Sequence, residues 1–205
     1  MPDIPKALSI LKKKYRKKLA LDYAEGPFEV LISTIISQRT KDEVTIAASE
    51  RLFKKFPSAK KLAAAKESDI AKLIYPAGFY RTKAPKIKAV SEYASRHGVP
   101  DSMESLLELP GVGRKTANCV LSYGFGMQAI AVDTHVHRIS NRLGWVRTKT
   151  PEQTEMALEK LIPKRQWRSV NSTLVAFGQD TCRPARPKCP DCPIRKLCPS
   201  ALLFY

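Results

Sequence analysis

Three features of the sequence predict an all-α fold. Apolar residues recur at helical spacing along almost the whole chain, no alternating run is bounded by hairpin turns, and capping residues precede several apolar stripes. At 205 residues the chain suits one or two compact domains and can bury a core without disulfide staples. Hydrophobic residues at 43% and charged residues at 27% exclude wholesale disorder.

The elements follow in order. Ile4, Leu8, Leu11, Tyr15 and Leu19 form one stripe on a very basic first helix, and Pro27 opens a second that carries Val30, Leu31, Ile35 and Ile36. Thr40 with Glu43 reads as a capping box for a third helix, with Val44, Ala48, Leu52 and Phe56 inward and Pro57 as its stop. Two short helices are expected near residues 58–65 and 68–75, then a longer one over 82–97 with Gly98 as C-cap. Asp101 and Glu104 form a second capping box, for a helix ending at Leu109 before Pro110. A helix from Arg114 to about Tyr123 follows, then a loop with the apolar run Ala129 to Val132, too short to build a sheet. Three more helices centre near Ile139, Leu158 and Leu174. The tail from Thr181 carries five prolines and needs something other than helical hydrogen bonds to organise it.

Charge narrows the function. Thirty-six Lys and Arg against nineteen Asp and Glu give a formal +17, which favours a polyanionic partner, a nucleic acid or an acidic membrane surface. No apolar stretch reaches the ~18 residues that cross a bilayer. The first twenty residues carry Lys12 to Lys14 and Arg16 to Lys18 where a signal peptide would be apolar, so an intracellular protein without a signal or transit peptide is expected.

Four of the five cysteines, Cys182, Cys189, Cys192 and Cys198, crowd the tail as Cys-x6-Cys-x2-Cys-x5-Cys, while Cys119 stands apart. In a reducing compartment this crowding reads as metal ligation. Zinc sites usually have two short knuckles and this pattern has one; a 4Fe-4S cubane, each iron taking one thiolate, suits unequal short spacings better. Arg183, Arg186, Lys188, Arg195 and Lys196 surround the ligands and would offset a cluster's negative charge.

Between two predicted helices lies Leu109-Pro110-Gly111-Val112-Gly113-Arg114-Lys115-Thr116. Its glycines allow a tight turn whose N–H groups face outward, where a phosphate can approach without a Cβ in the way; an ordinary interhelical corner would look the same. On the following helix Ala117, Val120 and Leu121 share the inward face, and Lys115 falls on the opposite side with Asn118, Cys119 and Ser122. A positive charge is disfavoured in a first helical turn and beside Arg114, which makes the Lys115 amine a better nucleophile toward an electrophilic carbon. A solvated lysine is the plainer reading. Asp133 ends the apolar run and precedes the helix bearing Val136, Ile139 and Leu143, so it or Thr134 suits an N-cap. His135, His137 and Arg138 beside it mark a site as well as a cap; neither histidine reads as a metal ligand.

Taken together, the Leu-Pro-Gly-Val-Gly-Arg-Lys-Thr-Ala-Asn segment at 109–118, Val-Asp-Thr-His at 132–135 and the cysteine tail resemble the endonuclease III family, the iron-sulfur branch of the helix-hairpin-helix DNA glycosylases. The likeness spans nearly the whole chain in one order. It implies a base excision repair enzyme with a six-helix barrel domain over residues 22–132 that holds the helix-hairpin-helix motif. A second domain, residues 1–21 plus 133–205, would hold the 4Fe-4S cluster on the four cysteines, with DNA across the cleft. The family's catalytic lysine and aspartate fall on Lys115 and Asp133. The glutamine that fills the gap left by a flipped nucleotide matches Gln38, and the apolar wedge matches Phe79 in Gly78-Phe79-Tyr80, where relatives carry leucine. Gly111, Val112, Gly113, Arg114, His135, Arg183 and Arg186 are the expected DNA contacts.

The implied activity is that of a bifunctional DNA glycosylase and AP lyase, a hydrolase and lyase in one. It would release oxidised pyrimidines from double-stranded DNA, then cleave the abasic site by β-elimination through a lysine Schiff base. A monomer in the cytoplasm, associated with the nucleoid and not with membranes, is expected. Two other readings are a monofunctional mismatch glycosylase that uses water, against which Lys115 counts, and a non-enzymatic iron-sulfur DNA-binding protein.

Overall fold

The structure, a computed structural model, describes residues 3–15 and 18–203. They hold eleven α-helices: α1 (Ile4–Lys14), α2 (Gly26–Ser37), α3 (Asp42–Lys55), α4 (Ala59–Ala63), α5 (Glu67–Ile74), α6 (Tyr80–His97), α7 (Met103–Leu107), α8 (Arg114–Cys119), α9 (Thr134–Arg142), α10 (Pro151–Leu161) and α11 (Trp167–Asp180). No strand occurs among the described residues. No helix among them is long and apolar enough to cross a membrane. Contacts divide the chain into two compact units, one of residues 18–127 and the other of 3–15 with 128–203.

In the first unit α2 is the central rod. Val30 through Ile36 are all buried, including Ser33 and Thr34, so no face of this stretch meets solvent. The Thr34 hydroxyl donates to the Val30 carbonyl at 2.6 Å, which satisfies it inside the apolar environment. Helices α3, α6 and α8 pack around α2, and α6 in turn carries α4 and α5. Pro57 follows α3 directly after its C-cap Phe56, and Gly98 caps α6 in the left-handed region at φ +77°.

Local chemistry departs from the expected caps at two places. Lys41, not Thr40, is the N-cap of α3 and makes no side-chain bond; the Thr40 hydroxyl is taken by the turn before α6. Ser102, not Asp101, caps α7, accepting the Ser105 N–H at 3.2 Å. The helix expected over 114–123 is α-helical only to Cys119 and continues as a π-helical turn, Val120–Gly124, with the Phe125 N–H bonded to the Val120 carbonyl at 3.1 Å. Gly124 packs against Pro27 there; an added Cβ would lie 2.8 Å from the proline Cα.

The second unit joins the chain's beginning to its last third. Ile4, Leu8 and Leu11 of α1 bury against Ile139, Leu174 and Phe177, and Ile130 and Val132 of the apolar run belong to the same core. That run therefore sits with α1 and α11, whereas the sequence reading places it in the barrel. It forms no strand, and the buried Asn171 amide donates to the Ala131 carbonyl at 2.8 Å. Helix α1 stops at Lys14, ahead of the expected Leu19. Tyr15 leaves the helix to place its hydroxyl 2.7 Å from Thr181 Oγ1 and its ring 5.3 Å from Phe177. Arg16 and Lys17 of the basic run lie outside the described residues.

Because Ile32 is fully buried on every side of α2, Ile32→Ala should cost about 2–5 kcal/mol, from lost burial plus a cavity. Urea unfolding should show the loss as a lower midpoint with an unchanged slope.

Candidate active site

Lys115 stands in the first turn of α8, behind the Leu109–Gly113 turn. Leu109 and Val112 are buried and anchor that turn, while Gly113 and Arg114 are exposed. Gly111 needs its φ of +82° to close the turn, and an added Cβ would lie 2.9 Å from Lys86 Cδ. Gly113 differs: nothing lies within 4 Å of its Cβ position, and as N-cap of α8 it offers no side-chain bond to the first-turn amides. Open space thus coincides at Gly113 with the start of a helix that has no side-chain cap. Lys115 itself is half-buried, but Asn118, Cys119 and Ser122, expected on an outer side with it, are all buried. Neighbouring helices cover both sides of α8, and periodicity alone does not reveal that.

Gln38 reaches this turn from the end of α2. Its amide donates to the Gly111 carbonyl at 2.9 Å and to Thr116 Oγ1 at 3.4 Å, so the side chain is committed inward. The next residue, Arg39, is exposed at φ +51°, with its guanidinium carbon 5.4 Å from the centroid of the Phe79 ring. Phe79 is 60% exposed and also left-handed at φ +57°. An exposed phenylalanine stacked with an arginine on adjoining turns is a surface suited to bases. Arg39 was not singled out by the sequence; its place beside Phe79 arises from a contact between turns forty residues apart.

In the other unit, Asp133 is the N-cap of α9, with Oδ1 accepting the Val136 N–H at 2.8 Å. The carboxylate is half-buried, and Arg138 lies within its electrostatic reach. His135 Nδ1 is 3.2 Å from Arg138 Nη2. Gly178 of α11 backs this pair; an added Cβ would lie 2.5 Å from His135 Nδ1. His137 has a structural role: Nδ1 is 2.6 Å from Thr154 Oγ1, which also meets Thr148 Oγ1 at 2.6 Å.

All four tail cysteines line one apolar pocket together with Leu143, Phe177 and Arg142. Among the described residues no three His, Cys, Asp or Glu side chains could hold a single metal ion. Burial pushes the Cys192 and Cys198 thiols up, as do the neighbouring cysteines, against smaller opposing hydrogen bonds from the backbone N–H groups of Ile194, Ser200 and Ala201. Two arginines of α9 hold the loop. Arg138 Nη2 donates to the Cys182 carbonyl at 2.9 Å, and Arg142 donates to the carbonyls of Arg183 at 2.6 Å and Pro184 at 2.7 Å and to Cys182 Sγ at 3.6 Å. Arg183 and Arg186 are left exposed on its outside.

The chain is similar to known proteins along most of its length. Endonuclease III of Thermotoga maritima is 53% identical over 194 residues, covering 92% of this chain and 90% of that protein. A trapped endonuclease III–DNA covalent intermediate superposes with a TM-score of 0.89 at 35% identity, covering 98% of this chain and 96% of that one. A thermostable thymine-DNA glycosylase gives 0.83 at 26% identity, covering 97% and 94%. The model of the HhH-GPD superfamily base excision DNA repair proteins matches residues 32–164, and with an endonuclease III more than half identical over nearly its full length, this chain belongs to that family.

Proposed function

We propose that this protein is a bifunctional DNA glycosylase and AP lyase that removes oxidised pyrimidines from double-stranded DNA, with Lys115 as nucleophile. The observation that carries the reading is a half-buried lysine two residues inside an exposed glycine turn, in a chain 53% identical to an endonuclease III. Phosphates would bind at the open Gly113 position and at Arg114, with Gly111 and Val112 shaping the turn; His135, Arg183 and Arg186 would add contacts. Phe79, with Arg39 stacked on it, would enter the duplex as the target nucleotide rotates out, and Gln38 would brace the turn from within.

The chemistry then needs an amine and a carboxylate. The neutral Lys115 amine attacks C1′ of the sugar, and the C1′–N bond breaks with its electron pair leaving on the base, which takes up a proton. Ring opening gives an iminium at C1′ that acidifies the C2′ protons. Loss of one of them expels the 3′ phosphate, and water releases the lysine. Asp133 would stabilise the cationic sugar as it forms and accept the proton that the attacking amine sheds. Its bond to the Val136 amide fixes the carboxylate while engaging one oxygen.

We assign a 4Fe-4S cluster to Cys182, Cys189, Cys192 and Cys198. Four cysteines around one apolar pocket, spaced with one short knuckle only, suit a centre several atoms wide better than one zinc. Its contribution would be to hold the loop that presents Arg183 and Arg186. We place the protein in the cytoplasm at the nucleoid, as a monomer.

Borohydride should trap the unaltered protein on abasic DNA as a stable crosslink, and Lys115→Gln should abolish trapping and nicking while DNA binding persists. Base release without any crosslink would indicate a water-using mismatch glycosylase instead. Gly113→Ala meets nothing inside the protein, so it should lower stability by no more than about 1 kcal/mol, the preference of an N-cap for Gly over Ala, while affinity for damaged and undamaged duplexes falls alike, by roughly tenfold if one phosphate contact is lost. A loss confined to one lesion would place this turn in base recognition. Protein purified without oxygen should be brown with about four irons per chain; one zinc and no iron would overturn the cofactor assignment.

A further inference from the structure

The turn leaving α2 and the turn entering α6 are joined by one buried cation. Lys83 is 4% exposed, and its Nζ donates to the Ile36 carbonyl at 2.7 Å, the Gln38 carbonyl at 2.5 Å and Thr40 Oγ1 at 3.0 Å. Three acceptors match the three N–H donors of an ammonium. Thr40 Oγ1 also accepts the Gly78 N–H at 3.1 Å, and Gly78 packs against the Arg39 carbonyl so tightly that a Cβ would strike its oxygen. The two turns therefore meet backbone to backbone over Lys83. Arg39 and Phe79 emerge from this base, each in the left-handed region that larger side chains adopt only where their surroundings impose it.

We propose that Lys83 is a positioning residue for opening the duplex: its ammonium makes the two turns one rigid base, so that Arg39 and Phe79 enter the DNA as a unit. The proposal rests on the glycosylase reading above. A wedge that unstacks base pairs must resist being pushed back, and an exposed side chain on a loose turn would yield. The three bonds from one side chain to two carbonyls and a hydroxyl supply that resistance on the protein side. Burial lowers the Lys83 ammonium to about 8, which would suit a nucleophile, but its donors are engaged and it is shielded from solvent. It is a strut, and Lys115 is left as the reacting amine.

Lys83→Met keeps the length of the stem and removes the ammonium. On a duplex carrying thymine glycol, base release should fall roughly tenfold or more, and 2-aminopurine beside the lesion should lose the fluorescence rise that reports unstacking. Crosslinking to single-stranded abasic DNA, where no stack has to open, should stay within about twofold of the unaltered protein. Thr40→Val removes the shared hydroxyl from the other turn and should produce the same split, so the outcome does not depend on one variant folding. Adding Lys83→Met to Phe79→Ala should cost little beyond Phe79→Ala alone, because the strut acts through the wedge. Unchanged duplex kinetics, equal loss on both DNA substrates, or full additivity with Phe79→Ala would each overturn the proposal. Failure of the unaltered protein to crosslink would overturn the lyase reading, and the fluorescence comparison would still decide the role of Lys83.

Discussion

With 36 cationic and 19 anionic side chains, this protein carries a large excess of positive charge, and several of its cations are held by backbone carbonyls. Lys83 takes those of Ile36 and Gln38, Arg142 those of Arg183 and Pro184, Arg138 that of Cys182, and Arg51 those of Leu73 and Tyr75. Carbonyls at helix ends and in turns lack intrahelical partners, so a cation bonded there satisfies two needs with one contact. A carbonyl acceptor carries no charge of its own, so these bonds do not consume a carboxylate. The same bonds pin the irregular segments that the proposed chemistry needs.

That economy explains why the proposed DNA-facing parts of residues 18–127 are turns held by a rod. Helix α2 is buried on all sides from Val30 to Ile36, so its end is placed by packing, and the next residues inherit that position. Gln38 transmits it to the glycine turn through the Gly111 carbonyl, and Lys83 transmits it to the turn at Gly78. Two elements distant in sequence are thus referenced to one helix end. A displacement there would move Phe79 and the glycine turn together.

The unit made of residues 3–15 and 128–203 solves a different problem. Its tail is rich in proline and, among the described residues, forms only short 3-10 helices at Arg195–Leu197 and Pro199–Leu203, so α-helical hydrogen bonding does not order it. Arginines of α9 grip its backbone from one side, and Cys182, Cys192, Cys198 and Leu197 pack onto the core that α1 and α11 share. The Asp133 cap begins the same helix that supplies Arg138 and Arg142. Position of the carboxylate and order of the cysteine loop therefore rest on one element.

What the sequence determined alone was whatever short-range chemistry controls: the all-helical content, the order and rough place of the helices, the glycine turn ahead of Lys115, a cap at Asp133 or Thr134 and the four-cysteine spacing. Each depends on residues within a turn or two of one another, where periodicity and capping apply directly. Tertiary structure decided the rest. Thr40 gave up its cap because the Gly78 amide and the Lys83 ammonium, some forty residues away, compete for its hydroxyl. The outer side of α8 became core because other helices cover it, and α8 passed into a π-helical turn. Gln38 turned inward, Arg39 took the place beside Phe79, and Lys83, an ordinary lysine in composition, became a buried strut. These outcomes depend on which acceptors long-range packing brings within 3 Å, and no local pattern encodes that distance.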